Sequence, residues 1–172
     1  MKKGYIQVYT GEGKGKTTAA LGLSLRAAGA GLKVFIAQFI KSGNYSEIKS
    51  LQRFSDFITV EQFGLGRFGK RPPPPEDIVA ARKGIEAVKR IMHSGAYDVI
   101  ILEEATVAAA KGLFTVEDLL DLIEMKPNQV ELVITGRNAD PRIIERADLV
   151  TEMKKIKHYF ETGVRARVGI EK

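Results

Sequence analysis

Apolar positions fall into two patterns along this chain, short continuous runs and longer stretches with helical spacing. Runs rich in β-branched and aromatic residues occupy 5–9, 33–40, 58–63, 97–102, 129–135 and 149–153, and predict six strands, those at 5–9, 33–40 and 97–102 buried. The intervening stretches predict helices over 19–28, 46–54, 76–94, 106–111, 116–125 and 141–147. Their ends carry recognisable signals. Gly29 and Gly31 suit a C-cap and turn, Ser46 and Thr115 suit N-caps, and Asp118 stands three residues after Thr115. Glu76 and Asp77 suit a helix start, Gly95 a helix end, and Pro141 follows Asp140 at a first turn. Strands alternating with helices imply an α/β fold, a mainly parallel sheet with helices on both faces.

The segment 64–75 breaks the alternation. Three glycines make it pliable, and the four prolines Pro72 to Pro75 force an extended course without backbone donors. Basic and aromatic residues are mixed within it, so a binding loop is expected rather than a plain linker. With 172 residues the chain reads as one domain over 1–172, long enough to remove roughly 70% of its unfolded surface from water. No apolar run approaches the roughly 18 residues of a membrane span, and the N-terminus shows no signal-peptide pattern. Zero cysteines exclude a disulfide framework and a thiolate metal site, and cytoplasm is the expected compartment. The net charge of +6 is compatible with nucleic acid or with a polyphosphate substrate, and does not choose between them.

The chemistry is concentrated after the first strand. Thr10-Gly11-Glu12-Gly13-Lys14-Gly15-Lys16-Thr17-Thr18 lies between a predicted strand and a predicted helix, the context that makes a phosphate-loop pattern credible. Glycines let backbone N–H groups converge on an anion, and the helix N-terminus adds partial positive charge. Lys16 would neutralise phosphate oxygens, and the Thr17 hydroxyl would ligate Mg²⁺. Thr10 stands where the usual pattern has its first glycine. In parallel sheets ligands bind at the carboxyl ends of strands, which would gather this loop, the loop after Ile40, Glu103-Glu104 and Gly136-Arg137-Asn138. The apolar strand ending in Glu103-Glu104 has Walker B form, and one of its carboxylates would hold Mg²⁺ opposite Thr17. Adjacent strand residues point to opposite faces, so both acids are not expected to serve one metal. Arg137 is a candidate phosphate or substrate contact, with a structural ion pair as the alternative. His93 and His158, the two histidines, read as structural, and no nucleophile–histidine arrangement is available. The chemistry therefore rests on phosphate and metal.

The pattern resembles the ATP:corrinoid adenosyltransferase family of the CobA/BtuR type, over nearly the whole chain. The resemblance is carried by 9–22, by Gln38-Phe39-Ile40-Lys41, and by Ile134-Thr135-Gly136-Arg137-Asn138. The tail adds 147–153, Ile156-Lys157-His158, Gly163-Val164-Arg165-Ala166 and Gly169-Ile170-Glu171. Thr10 also matches, since that family's loop lacks the same glycine. The resemblance implies a RecA-like P-loop nucleoside triphosphate-binding fold and a homodimer. It further implies transfer of the 5′-deoxyadenosyl group of ATP to Co(I) of a reduced corrinoid, with release of triphosphate. Carried over by position, Thr10, Gly11, Glu12, Gly13, Lys14, Gly15, Lys16, Thr17 and Thr18 would cradle the triphosphate. Thr17 and Glu104 would place Mg²⁺, Lys16 and Glu104 would serve catalysis, and Arg137 would be a further contact. Partners so implied are ATP, the corrinoid, a second copy of the chain and a flavoprotein reductant, with neither membrane nor nucleic acid involved.

Lys172 stands where the family often has an aromatic after Gly-Ile-Glu, and two further departures fall near the expected site. Glu103-Glu104 replaces the common Asp-Glu, and Gly64-Leu65-Gly66-Arg67-Phe68-Gly69 replaces a Gly-x-Gly-Phe-Thr-Trp run whose aromatics help shape the corrinoid's lower face. Phe68 would substitute in part. Two other function classes fit a phosphate loop: a small-molecule or nucleoside kinase, and a non-enzymatic nucleotide-dependent switch. The switch reading is opposed by Gly11, where such modules often carry a lysine.

Overall fold

The computed structural model describes residues 2–66 and 72–172. Among these residues six strands form one sheet, β1 (Ile6–Thr10), β2 (Val34–Gln38), β3 (Ile58–Gln62), β4 (Val99–Glu103), β5 (Glu131–Thr135) and β6 (Leu149–Glu152). Their order is β3-β2-β4-β5-β1-β6, with every neighbouring pair parallel. Six α-helices connect and cover them: α1 (Lys16–Gly29), α2 (Ser46–Leu51), α3 (Pro75–Ser94), α4 (Ala105–Ala110), α5 (Val116–Met125) and α6 (Pro141–Arg146). The α/β class and the parallel sheet expected from the alternation are both present.

The central strands are buried on both faces, as parallel strands under helices must be. Side chains alternate across them. Phe35, Ile100, Leu102, Leu132 and Ile134 join the core built with α3, α4, α5 and α6. Val34, Ile36, Val99, Ile101 and Val133 meet Ala20, Ala27 and Ala28 of α1 and Leu51 of α2 on the other face. The small residues of α1 let it lie close to the sheet as it crosses from β1, over β5 and β4, to β2. That crossover carries the start of α1 over the carboxyl end of β4.

Local signals mostly matched. Thr115 caps α5 in a reciprocal box, its Oγ1 accepting from Asp118 N at 3.1 Å and Asp118 Oδ2 accepting from Thr115 N at 2.7 Å. Gly95 closes α3 in the left-handed region, at φ 67°. Ser46 differs from expectation: Tyr45 occupies the N-cap, and the Ser46 hydroxyl donates instead to the Lys172 carbonyl at 3.0 Å. Residues 52–54, expected as the end of α2, tighten into a 3₁₀ turn. In segment 64–75, Pro75 already belongs to α3. Arg67, Phe68, Gly69, Lys70 and Arg71, which carry most of the binding-loop expectation, lie outside the described residues. After β6 the chain has no strand or helix beyond a 3₁₀ turn at Tyr159–Thr162.

Candidate functional site

The loop between β1 and α1 is built by close backbone approach. Gly13 N donates to Met153 O at 2.6 Å, and Met153 N donates to Thr10 O at 2.8 Å, so the end of β6 straps the loop from outside. A Cβ on Gly11 or Gly13 would stand 2.6 Å from Met153 O, closer than atoms pack. Thr10 still belongs to β1, and its Oγ1 accepts from Ala139 N at 3.3 Å. The position where the usual pattern has glycine is therefore regular strand, tying the loop to 136–139.

Lys16 opens α1 and is buried, with 5% of its surface exposed. Its ammonium donates to the carbonyls of Gly11 at 2.6 Å and Gly13 at 2.7 Å, which fixes the charge inside the curve of the loop. Burial pulls its pKa down, and Glu104 nearby opposes that shift. Lys14 points outward, donating to Ile170 O at 3.1 Å and lying 3.7 Å from Glu171.

At the end of β4 the alternation that puts Val99 and Ile101 on the α1 face puts Glu103 there too. Glu103 is wholly buried, and its Oε1 accepts from Thr17 Oγ1 at 2.7 Å. The same oxygen lies 3.1 Å from Lys41 Nζ, while Oε2 has no hydrogen-bond partner. Glu103, rather than Glu104, is thus the acid bonded to Thr17. Glu104 leaves the strand in the left-handed region at φ 57°, and its N–H donates to Thr135 Oγ1 at 3.0 Å. This turn keeps its carboxylate on the cleft with Lys16 and Thr17 instead of sending it to the opposite face. Burial, and then the neighbouring Glu103 charge, raise its pKa.

Arg137 follows Gly136, which sits at φ 143°, and a Cβ added there would stand 2.2 Å from the Thr106 hydroxyl. Thr106 Oγ1 donates to Arg137 O at 2.8 Å. The guanidinium reaches the phosphate loop by pairing with Glu12 at 3.0 Å, both side chains about half exposed at 56% and 53%. An exposed pair of this kind contributes little stability and leaves Arg137 able to turn toward a ligand. It is an ion pair in this state, the alternative left open by the sequence.

Lys16, Thr17, Lys41, Glu104 and Arg137 border one cleft of about 820 Å³, and Glu103 lies buried behind Thr17 and Lys41. Leu21 and Leu25 of α1 line one wall, and Gly169 and Ile170 of the tail line another. The tail is held in shape by Glu171, which accepts from Arg167 at 3.1 Å and from the Tyr159 hydroxyl. Those bonds pull the Glu171 pKa down to about 2, Arg167 being the larger cause. His158, read as structural, also borders the cleft, and its Nδ1 accepts from Phe160 N. A smaller hollow of about 120 Å³ between Phe39, Leu65, Pro73 and Leu113 adjoins segment 64–75.

Several of these residues had no assigned role in the sequence reading: Lys41, Thr106, Thr135, Met153 and the tail. Lys41 and Thr135 sit at strand ends, which the topology rule marks as ligand-facing. Met153 and the tail have no local signal, because they meet the loop across more than 135 residues of chain.

The donor set suits a hard divalent cation. A hydroxyl at Thr17, an unpartnered buried oxygen on Glu103 and the Glu104 carboxylate are oxygen donors of the kind Mg²⁺ would take. Among the described residues no cluster of three or more His, Cys, Asp or Glu side chains forms an independent metal cage.

Fold and loop define a RecA-like α/β protein with a cleft at the carboxyl edge of the sheet. The chain is similar in fold to the flagellar accessory protein FlaH from Methanocaldococcus jannaschii, with a TM-score of 0.58 at 14% identity. The match covers 88% of this chain and 72% of that one. The family model for ATP:corrinoid adenosyltransferase BtuR/CobO/CobP matches residues 2–171. The chain belongs to that family, and so to the transferases. Relatives include a corrinoid adenosyltransferase of Escherichia coli (strain K12), 34% identical over 99% of this chain and 86% of that protein. Another, from Pseudomonas aeruginosa, is 32% identical over 99% of this chain and 84% of its own length. The corrinoid adenosyltransferase CobA of Salmonella typhimurium is 31% identical over 99% and 86%.

Proposed function

We propose that this chain transfers the 5′-deoxyadenosyl group of ATP to Co(I) of a reduced corrinoid. The electron pair of Co(I) forms the bond to C5′ of the ribose as the C5′–O bond breaks, and triphosphate leaves with that bonding pair. Cobalt(I) is itself the nucleophile, so the protein's task is to hold C5′ in line and to stabilise charge on the leaving group. One observation carries the reading: Lys16, Thr17 and Glu104 converge on a single cleft at the phosphate loop, in a chain of this family. Loop amides and Lys16 would hold the triphosphate, and Arg137 would add a contact after leaving Glu12. Thr17 and the two glutamates would hold Mg²⁺, which when bound offsets phosphate charge.

An anaerobic assay with chemically reduced cobalamin and Mg-ATP tests this directly. The expected result is a light-sensitive organocobalt spectrum together with inorganic triphosphate. ADP and a phosphorylated acceptor would instead identify a kinase. The same reading includes a homodimer, for which the outer edge of β6 exposes Leu149 and Val150; sedimentation measures it. It also includes a flavoprotein as the source of electrons for cobalt, checked by coupling the assay to reduced flavodoxin. Among the described residues no helix is long and apolar enough to cross a membrane.

A further inference from the structure

Glu103 is a wholly buried carboxylate, and such a charge needs a partner. Lys16 does not supply one, because its ammonium is committed to the Gly11 and Gly13 carbonyls. Among the described residues, the ion pair that reaches Glu103 is made by Lys41, from the loop after β2, at 3.1 Å. Lys41 has a second carboxylate within reach, Glu47 of α2 at 3.3 Å, and lies 5.5 Å from the centre of the Tyr45 ring. Its side chain is 18% exposed and borders the cleft. One ammonium therefore stands between a buried acid that also holds Thr17 and a more exposed acid that can keep it paired if it moves.

We infer that Lys41 is a resident cation on Glu103, a placeholder for the divalent metal, which moves onto Glu47 when metal and polyphosphate enter together. The unpartnered Oε2 of Glu103 gives the incoming metal an oxygen ligand. Metal alone meets an ammonium next to its binding oxygens and is repelled. Polyphosphate removes that obstacle by supplying negative charge and further ligands. The device keeps free metal out of the site until nucleotide is present. It rests on the reading of Thr17 and Glu103 as a metal-bearing pair, and its test needs neither ATP nor corrinoid.

Mn²⁺ binding is measured at fixed pH without nucleotide, by electron paramagnetic resonance of the free ion. Lys41→Met keeps the stem and removes the charge, and is expected to bind Mn²⁺ about tenfold tighter than the wild type, given the strength of like-charge repulsion at this distance. Lys41→Arg retains the charge and is expected to bind as weakly as the wild type. The inference fails if Lys41→Met binds no tighter, or if Lys41→Arg binds as tightly as Lys41→Met. A measurement on the unaltered chain guards against misfolding of the variants. The ¹³Cε resonance of Lys41 should shift when Mg²⁺ and tripolyphosphate are added together, and hardly at all with Mg²⁺ alone. An unmoved resonance would overturn the exchange. Absence of adenosyl transfer with these results intact would remove the proposed reaction and leave the placeholder standing.

Discussion

Replacing Glu103 with Gln isolates one charge. The amide oxygen can still accept from Thr17 Oγ1, so the hydrogen bond at 2.7 Å survives in form, while the pair with Lys41 at 3.1 Å loses its negative partner. At that separation, two unit charges attract by about 5 kcal/mol at an effective dielectric near 20. Desolvation of the buried carboxylate cancels much of that attraction, and breaking buried pairs typically costs about 3–5 kcal/mol. Glu47 keeps Lys41 partly compensated, so the expected loss falls at or just below the low end of that range, about 2–3 kcal/mol. The chain has no tryptophan, so urea unfolding is followed by far-ultraviolet circular dichroism. With a urea slope of roughly 2 kcal/mol per molar, the midpoint should fall by about 1 M. A double-mutant cycle with Lys41→Met should recover most of the loss, because the pair is then absent as a whole. An unchanged midpoint for Glu103→Gln, or a cycle with no coupling, would refute the assignment of Glu103 to Lys41.

Four further outcomes are expected. Lys16→Ala should lower ATP-dependent formation of the organocobalt product by at least about 100-fold, with the far-ultraviolet spectrum unchanged. Gly13→Ala places a Cβ 2.6 Å from Met153 O, so the loop or the strap must move. It should lose roughly 2 kcal/mol or more of stability and most ATP binding, read by urea unfolding and calorimetry. Glu104 has a raised folded pKa, so its ionised form opposes folding above that pKa, and the effect vanishes below the ordinary value of 4.5. Glu104→Gln should therefore raise the melting temperature at pH 7, with the gain shrinking as pH falls toward 4.5. Glu171 has its folded pKa lowered to about 2, so its hold on Arg167 is complete above 4.5 and is lost as pH falls toward 2. Proteolysis of the tail by pepsin should accelerate across that window, and in Glu171→Gln the acceleration should be absent.

Much of the fold was legible because its signals are local. Continuous apolar runs marked all six strands, and helix ends were marked locally by the Thr115–Asp118 box, the left-handed Gly95 and Pro141 after its capping Asp140. The glycine-rich loop between β1 and α1 was legible for the same reason, since glycine spacing and the following helix start are contiguous. Ser46 shows where this fails. A serine in front of a helical stretch reads as a cap, yet here a carbonyl 126 residues away takes its hydroxyl.

Residue order alone thus settled which elements form, that the sheet is mainly parallel, and that a glycine-rich loop leads into α1. It could not say which face of β4 carries Glu103, because both faces of a central parallel strand are apolar and the pattern gives no phase. Only the crossover of α1 over β5 and β4 brings Thr17 onto that face, and only the left-handed turn at Glu104 returns the second acid to the same cleft. The strap from Met153, the tail wall at Ile170 and the pairing of Lys41 with Glu103 likewise join segments from distant parts of the chain. Such contacts depend on how the helices and sheet pack together, a property of the folded whole that no short stretch of sequence encodes.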